Sequence, residues 1–213
     1  MKRRLTLAIV MAALAAASET LDRIAVTVGK QVITESEVIL DLRLSAFLDQ
    51  KPVDLSGAEK RKAADRLVDQ LLILQDAAVA RVPPPSAEEA ARLVAQVKSQ
   101  YATDADFSAA LGRYRITEQE LARQLLAGLR TMRFTELRFR PEVQLSEEDL
   151  REFYNTLAAG WRSANSSQVP TFEESRGQVE KVLTDQRVLQ ALDRWLGTAR
   201  TDNQILYREK VFK

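Results

Sequence analysis

The amino-acid sequence predicts a mainly α protein, in which several helices accompany a small β-sheet formed by an N-terminal hairpin and a C-terminal strand. Three observations predict this fold class. Strand-like segments lie near both ends of the chain, at 23–33 and 204–207. Between them, hydroxyl residues repeatedly precede an acidic residue by three positions, as they do at helix starts. Apolar residues then recur every three or four positions, which is the spacing of one helix face.

The segment 23–33 predicts a β-hairpin. Its β-branched residues alternate with others up to Val28, and Gly29-Lys30 then leads directly into a second strand-like stretch. Glycine at the first of two loop positions suits a type II′ turn, because that position has a positive φ. An isolated hairpin is marginally stable in water. We therefore expect the stretch 204–207 to join it, so that the two ends of the chain meet in one sheet.

Capping signatures predict at least six helices. In the fullest of them an apolar residue before the cap and another at the fourth helical position form a hydrophobic staple. The predicted caps are Thr34, Ser56, Ser86, Thr117, Ser146 and Thr171. Thr103 predicts a further short helix, which Gly112 is placed to close.

The last predicted helix is long and amphipathic. Together with the linker predicted before it, this helix defines three parts of the mature chain. It starts after Thr171, and its apolar residues include Val188, Leu189 and Leu192. Such a helix cannot bury its apolar face alone, so we expect it to lie across the helices of the first half. Before it, 158–170 is small, polar and aperiodic, which predicts a linker. The predicted parts are a helical domain with the hairpin at 18–157, the linker at 158–170, and the helix and strand at 171–213.

The first seventeen residues have the pattern of a secretory signal peptide. Lys2-Arg3-Arg4 precedes an apolar run at 5–14, and small residues follow up to position 17. Removing 1–17 changes the net charge from +1 to (31 − 3) − 30 = −2. The mature chain therefore has no excess of basic residues, which a nucleic-acid partner would require. The pattern predicts an exported, periplasmic protein without a stable membrane anchor, the alternative being an uncleaved anchor helix.

The composition excludes several kinds of chemistry. The chain has no histidine and no cysteine, so imidazole bases, thiolate nucleophiles and the usual zinc ligands are missing. Paired carboxylates such as Glu88 with Glu89 lie in first helical turns, where capping and the helix dipole explain them. We therefore predict no enzymatic activity, no cofactor and no metal site.

Three segments of the chain resemble a known protein family. Residues 21–37, beginning Leu21-Asp22-Arg23-Ile24, resemble the opening of SurA-type periplasmic chaperones. The segment 138–154 is similar to the same family's approach to its isomerase domain, and 172–196 to the segment that returns after it.

One departure qualifies the resemblance. The family carries parvulin-type prolyl isomerase domains in the interval where this chain has only the linker, and their active sites use histidines. The resemblance therefore implies an ATP-independent chaperone module without isomerase activity, which binds unfolded or extended client polypeptides such as outer-membrane β-barrel precursors. The alternative is a periplasmic adaptor or assembly subunit that binds one folded partner. The oligomeric state stays open between a monomer and a swapped dimer.

Large apolar side chains near the end of one helix and beside the linker are the candidates for peptide binding. The helix presents them on more than one face, which is more than a single buried stripe needs. These candidates are Leu129, Met132, Phe134, Leu137, Phe139, Tyr154 and Trp161. The alternative for each is that it packs against the long C-terminal helix.

Overall fold

The computed structural model describes residues 22–163 and 169–213, and there the chain is mainly helical with a small three-stranded antiparallel sheet. The predicted signal peptide at 1–17 lies outside the described residues, as does 164–168 of the predicted linker. The strands are β1 (Ile24–Val28), β2 (Gln31–Thr34) and β3 (Ile205–Tyr207). The helices are α1 (Glu35–Leu48), α2 (Gly57–Val79), α3 (Ala87–Lys98), α4 (Asp104–Tyr114), α5 (Glu118–Phe139), α6 (Glu147–Ser163) and α7 (Phe172–Asp202).

The sheet joins the two ends of the chain, as predicted. Its strand order is β2-β1-β3, with both pairs antiparallel. Gly29 has a φ of +57°, as the first position of the predicted turn requires. The Gly29 N–H donates to the Gln204 carbonyl at 2.9 Å, and the Arg208 N–H donates to the Ala25 carbonyl at 2.8 Å. The C-terminal strand is therefore held to the hairpin at both of its ends.

All the predicted helix starts are confirmed. In each, the side chain of a cap residue accepts a hydrogen bond from the backbone N–H three residues further on. The caps are Thr34, Ser56, Ser86, Thr103, Thr117, Ser146 and Thr171. The end of α4 differs from the prediction. Gly112 lies inside the helix, and Arg115 takes the left-handed conformation with a φ of +53°.

Two hydrophobic clusters hold the sheet and the first helices together. One face of the sheet packs on α1 and α2, where Val26 and Val28 are buried with Val68. The 3₁₀ turn Glu209–Phe212 closes this cluster through the buried Val211. A second cluster around Phe47 ties α1 to α3, α4 and the start of α5.

The helix α7 lies against α2, α5 and α6, as predicted. Before it, α6 continues through 158–163, which the sequence interpretation assigned to the linker. Ala158 is fully buried there. The alanines that suggest a linker are also good helix formers, and burial on one face of α6 decides between the two. Within the described residues, no helix has the length and apolar character needed to cross a membrane.

Candidate functional site

An open groove runs between α5 and α7. Met132 of α5 and Leu189 of α7 line it, with 56% and 57% of their surface exposed. The buried Val188 and the half-buried Leu192 also line it. The groove encloses about 660 Å³. Large apolar side chains that stay half exposed around a concave surface are typical of a binding site for apolar groups.

An aromatic cluster packs beside this groove, in the same core as Val188 and Leu192. Phe134 packs on Trp195 of α7 with ring centroids 5.2 Å apart, and Phe139 packs edge-on against Phe134 at 5.7 Å. Both phenylalanines are buried, at 0% and 3% exposure. This corrects their assignment to an accessible peptide-binding surface, because α7 crosses α5 directly over them. They belong to the core that holds the groove in shape.

Ion pairs close one end of the groove. The Arg140 guanidinium donates to Glu136 of the preceding turn and to Asp185 of α7, the latter at 2.5 Å. Lys181 pairs with the same Asp185 at 3.0 Å. These hydrogen bonds from Arg140 lower the pKa of the Glu136 and Asp185 carboxyl groups. The four charges balance, so this end of the groove has no excess charge to offer a ligand.

A second cavity lies on the neighbouring face of α5, between that helix, α2 and β2. It encloses about 230 Å³, and its walls include Val32, Leu71 and Leu74. Val32 and Leu74 are 49% and 41% exposed. Thr131 lines both this cavity and the groove beside α7. The two concave surfaces therefore meet across α5.

The remaining predicted residues lie elsewhere. Leu137 is 59% exposed but does not line the groove. Leu129 is half-buried and lies one and two helical turns from Arg133 and Leu137, on the face that contacts α3 through an Arg133–Glu89 ion pair. Of the predicted α5 residues, Met132 is thus the one that lines the groove.

Tyr154 and Trp161 form a separate aromatic cluster between α6 and the start of α7. Tyr154 packs edge-on against Phe172 with centroids 5.5 Å apart, and its hydroxyl donates to the Pro170 carbonyl at 2.8 Å. Trp161 packs on Tyr154 at 6.4 Å. Phe172 is about 24 Å from Val188 along the axis of α7. The seven predicted residues therefore do not form one surface.

The sequence interpretation missed the contribution of α7 to the groove. Val188, Leu189 and Leu192 were assigned to the face that α7 buries, and Leu189 is instead exposed. One signal was present. Val188 and Leu189 are adjacent, so their side chains point about 100° apart, and a neighbouring helix can bury one of them while the other stays exposed at the edge of the apolar face.

Several carboxylates of the described residues are engaged in caps and ion pairs. Hydrogen bonds from the cap residue lower the pKa of Glu89, Glu120 and Glu174. Asp41 is different, because burial raises the pKa of its carboxyl group, which pairs with Arg66 at 2.5 Å. Within the described ranges, no three acidic, histidine or cysteine side chains come close enough to hold a metal ion.

No protein-family model and no curated protein matches this chain.

Proposed function

We propose that this chain is an ATP-independent periplasmic holdase, which binds extended segments of unfolded exported proteins and has no prolyl isomerase activity. The observation that carries the proposal is the open apolar groove between α5 and α7, in which Met132 and Leu189 stay more than half exposed. Binding there needs apolar contact and no catalytic group. The choice of outer-membrane β-barrel precursors as clients rests on the resemblance of 21–37 to SurA-type chaperones.

The geometry of the groove suits a weak and broad binder. Its walls come from two packed helices, so little ordering accompanies binding. Met132 is unbranched and polarisable, which lets it adapt to side chains of different shape. Full burial of a side chain that is already half buried contributes about 1 kcal/mol. A few such contacts hold a client without preventing its release.

Light scattering of a denatured outer-membrane β-barrel protein tests the proposal. We expect the purified protein, at severalfold molar excess, to suppress aggregation when the denatured client is diluted from urea. Met132→Lys and Leu189→Lys should each weaken client binding about fivefold to tenfold, since each removes an apolar contact and places a charge in the groove. Leu137→Lys is the matched control, because Leu137 is equally exposed on α5 but does not line the groove.

Met132 also provides a direct probe of the site. It is the only methionine after residue 17. With methyl-labelled methionine, we expect its resonance to shift when the client is added. Unchanged scattering with the wild-type protein, or equal loss with all three lysine variants, would contradict the proposal. Recovery of one stoichiometric folded partner, without suppression of aggregation, would instead identify an adaptor subunit.

A further inference from the structure

Where the two cavities meet, α5 carries small side chains that protrude little from the helix. Ala127 and Thr131 line the cavity beside β2, and Gly128 and Thr131 line the groove beside α7. A side chain added at Gly128 would meet no atom within 4 Å. A polypeptide that passes from one cavity to the other therefore crosses α5 over small residues and into open space.

One charge at this crossing is unpaired. Arg130 lines the cavity beside β2 together with Leu71 and Leu74, and it is partly buried. In the part of the chain that the structure describes, no carboxylate pairs with it and no group accepts a hydrogen bond from it. Glu37 lines the same cavity and keeps its negative charge, but its carboxylate accepts hydrogen bonds from the Thr34 backbone and hydroxyl at 2.7 and 3.1 Å and forms no ion pair with Arg130.

This distinguishes Arg130 from the cations at the far end of the groove. There Arg140 and Lys181 are both paired with acids of the chain itself. A guanidinium among apolar walls interacts best with a carboxylate, which can take two of its N–H donors. The charge at the crossing is therefore complementary to an acidic group on whatever occupies the two cavities.

The distance between the two cavities determines the residue spacing of an extended peptide that occupies both. A helix with its side chains is about 10 Å to 12 Å wide, and an extended chain advances about 3.3 Å per residue. Side chains that enter the two cavities are therefore about three to four residues apart in an extended segment, and i+4 is the nearest spacing that keeps both on the same side. Residues at i, i+2 and i+4 of such a segment point to the same side.

We propose that the two cavities form one peptide site, which prefers an extended segment with apolar residues at i and i+4 and an acidic residue at i+2. The apolar side chains enter the two cavities, and the acidic side chain pairs with Arg130. This inference rests on the proposed function, since it specifies which segments of a client the holdase binds.

Three twelve-residue peptides test it. Each has leucine at i and i+4, and they differ in carrying glutamate, glutamine or lysine at i+2. Binding is followed by the Met132 methyl resonance. We expect the glutamate peptide to bind about threefold to fivefold more tightly than the glutamine peptide, with the lysine peptide weakest. Arg130→Glu should reverse this order.

A bulky residue at the crossing provides the second test. Gly128→Trp should abolish binding of all three peptides, because it blocks the passage over α5. Gly177→Trp is the matched control, as Gly177 is also an exposed helical glycine with open space around it. Circular dichroism and thermal unfolding establish that each variant folds.

The outcomes separate this inference from the proposed function. Equal binding of the three peptides, with aggregation still suppressed, overturns the acidic preference and leaves the holdase. Absence of both peptide binding and suppression overturns the two together. Conversion of a wild-type dimer to a monomer by Gly128→Trp shows that a second copy occupies the site, and this also overturns the inference.

Discussion

The C-terminal turn lies so close to the start of α2 that only glycine fits at position 57, and Gly57→Ala therefore tests how firmly the chain ends are joined. A Cβ at Gly57 would overlap the backbone carbonyl of Phe212. The turn must then move away, exposing the buried Val211 and weakening the Arg61–Glu209 ion pair. Burying a valine contributes about 1.5 kcal/mol to 3 kcal/mol, and regained backbone freedom offsets part of this loss. We expect the free energy of unfolding to fall by about 2 kcal/mol, which lowers Tm by about 4 °C to 8 °C.

Thermal and urea unfolding followed by circular dichroism measure this effect. Gly177→Ala and Gly197→Ala are the controls, because both positions lie inside α7 with open space around them. Each should raise the free energy of unfolding by about 0.5 kcal/mol to 1 kcal/mol. In a chain that lacks 209–213, Gly57→Ala should no longer destabilise, since the overlapping carbonyl is gone. The reasoning is refuted if Gly57→Ala behaves like the controls in the intact chain.

Two further predictions concern buried polar groups. Burial raises the pKa of Asp41, so its charged form opposes folding, and the stability of the wild type relative to Asp41→Asn should improve as pH falls from neutrality towards the ordinary value near 3.8. Urea midpoints of both proteins across this range measure the difference, and a constant difference would contradict it. Burial also raises the pKa of Tyr207 to about 12, and its hydroxyl donates to Asp65 at 2.5 Å. Tyr207→Phe should remove the last step of the tyrosinate absorbance titration and cost about 1 kcal/mol of stability.

Helix starts could be predicted from the sequence because they are decided locally. A cap such as Thr117 and its partner Glu120 are three residues apart, and their mutual hydrogen bonds need nothing from the rest of the fold. Helix ends are different in this chain. Gln50, Arg81 and Arg115 take left-handed conformations without being glycine. Arg115 does so where the next residue, the buried Ile116, joins the cluster around Phe47, and sequence spacing does not reveal this packing.

The candidate site could be predicted only in part, for a related reason. Phe134 and Met132 are two positions apart on α5, and both are large and apolar. The crossing of α7 covers Phe134 and leaves Met132 exposed. Helical spacing shows which residues share a face, but the neighbouring helix decides which part of that face it covers. The same crossing exposes Leu189, which the sequence interpretation assigned to the core.

In the proposed holdase, the energetics of the two cavities favour long client segments over short ones. Met132 and Leu189 in the groove, and Val32 and Leu74 beside β2, are each about half exposed. Completing the burial of one such side chain contributes about 1 kcal/mol, so either cavity alone offsets little of the entropy lost on association. A segment that enters both cavities doubles the contact area, but it loses translational and rotational freedom only once. We therefore expect binding to increase steeply once a client segment is long enough to cross α5, and to weaken again as folding withdraws that segment.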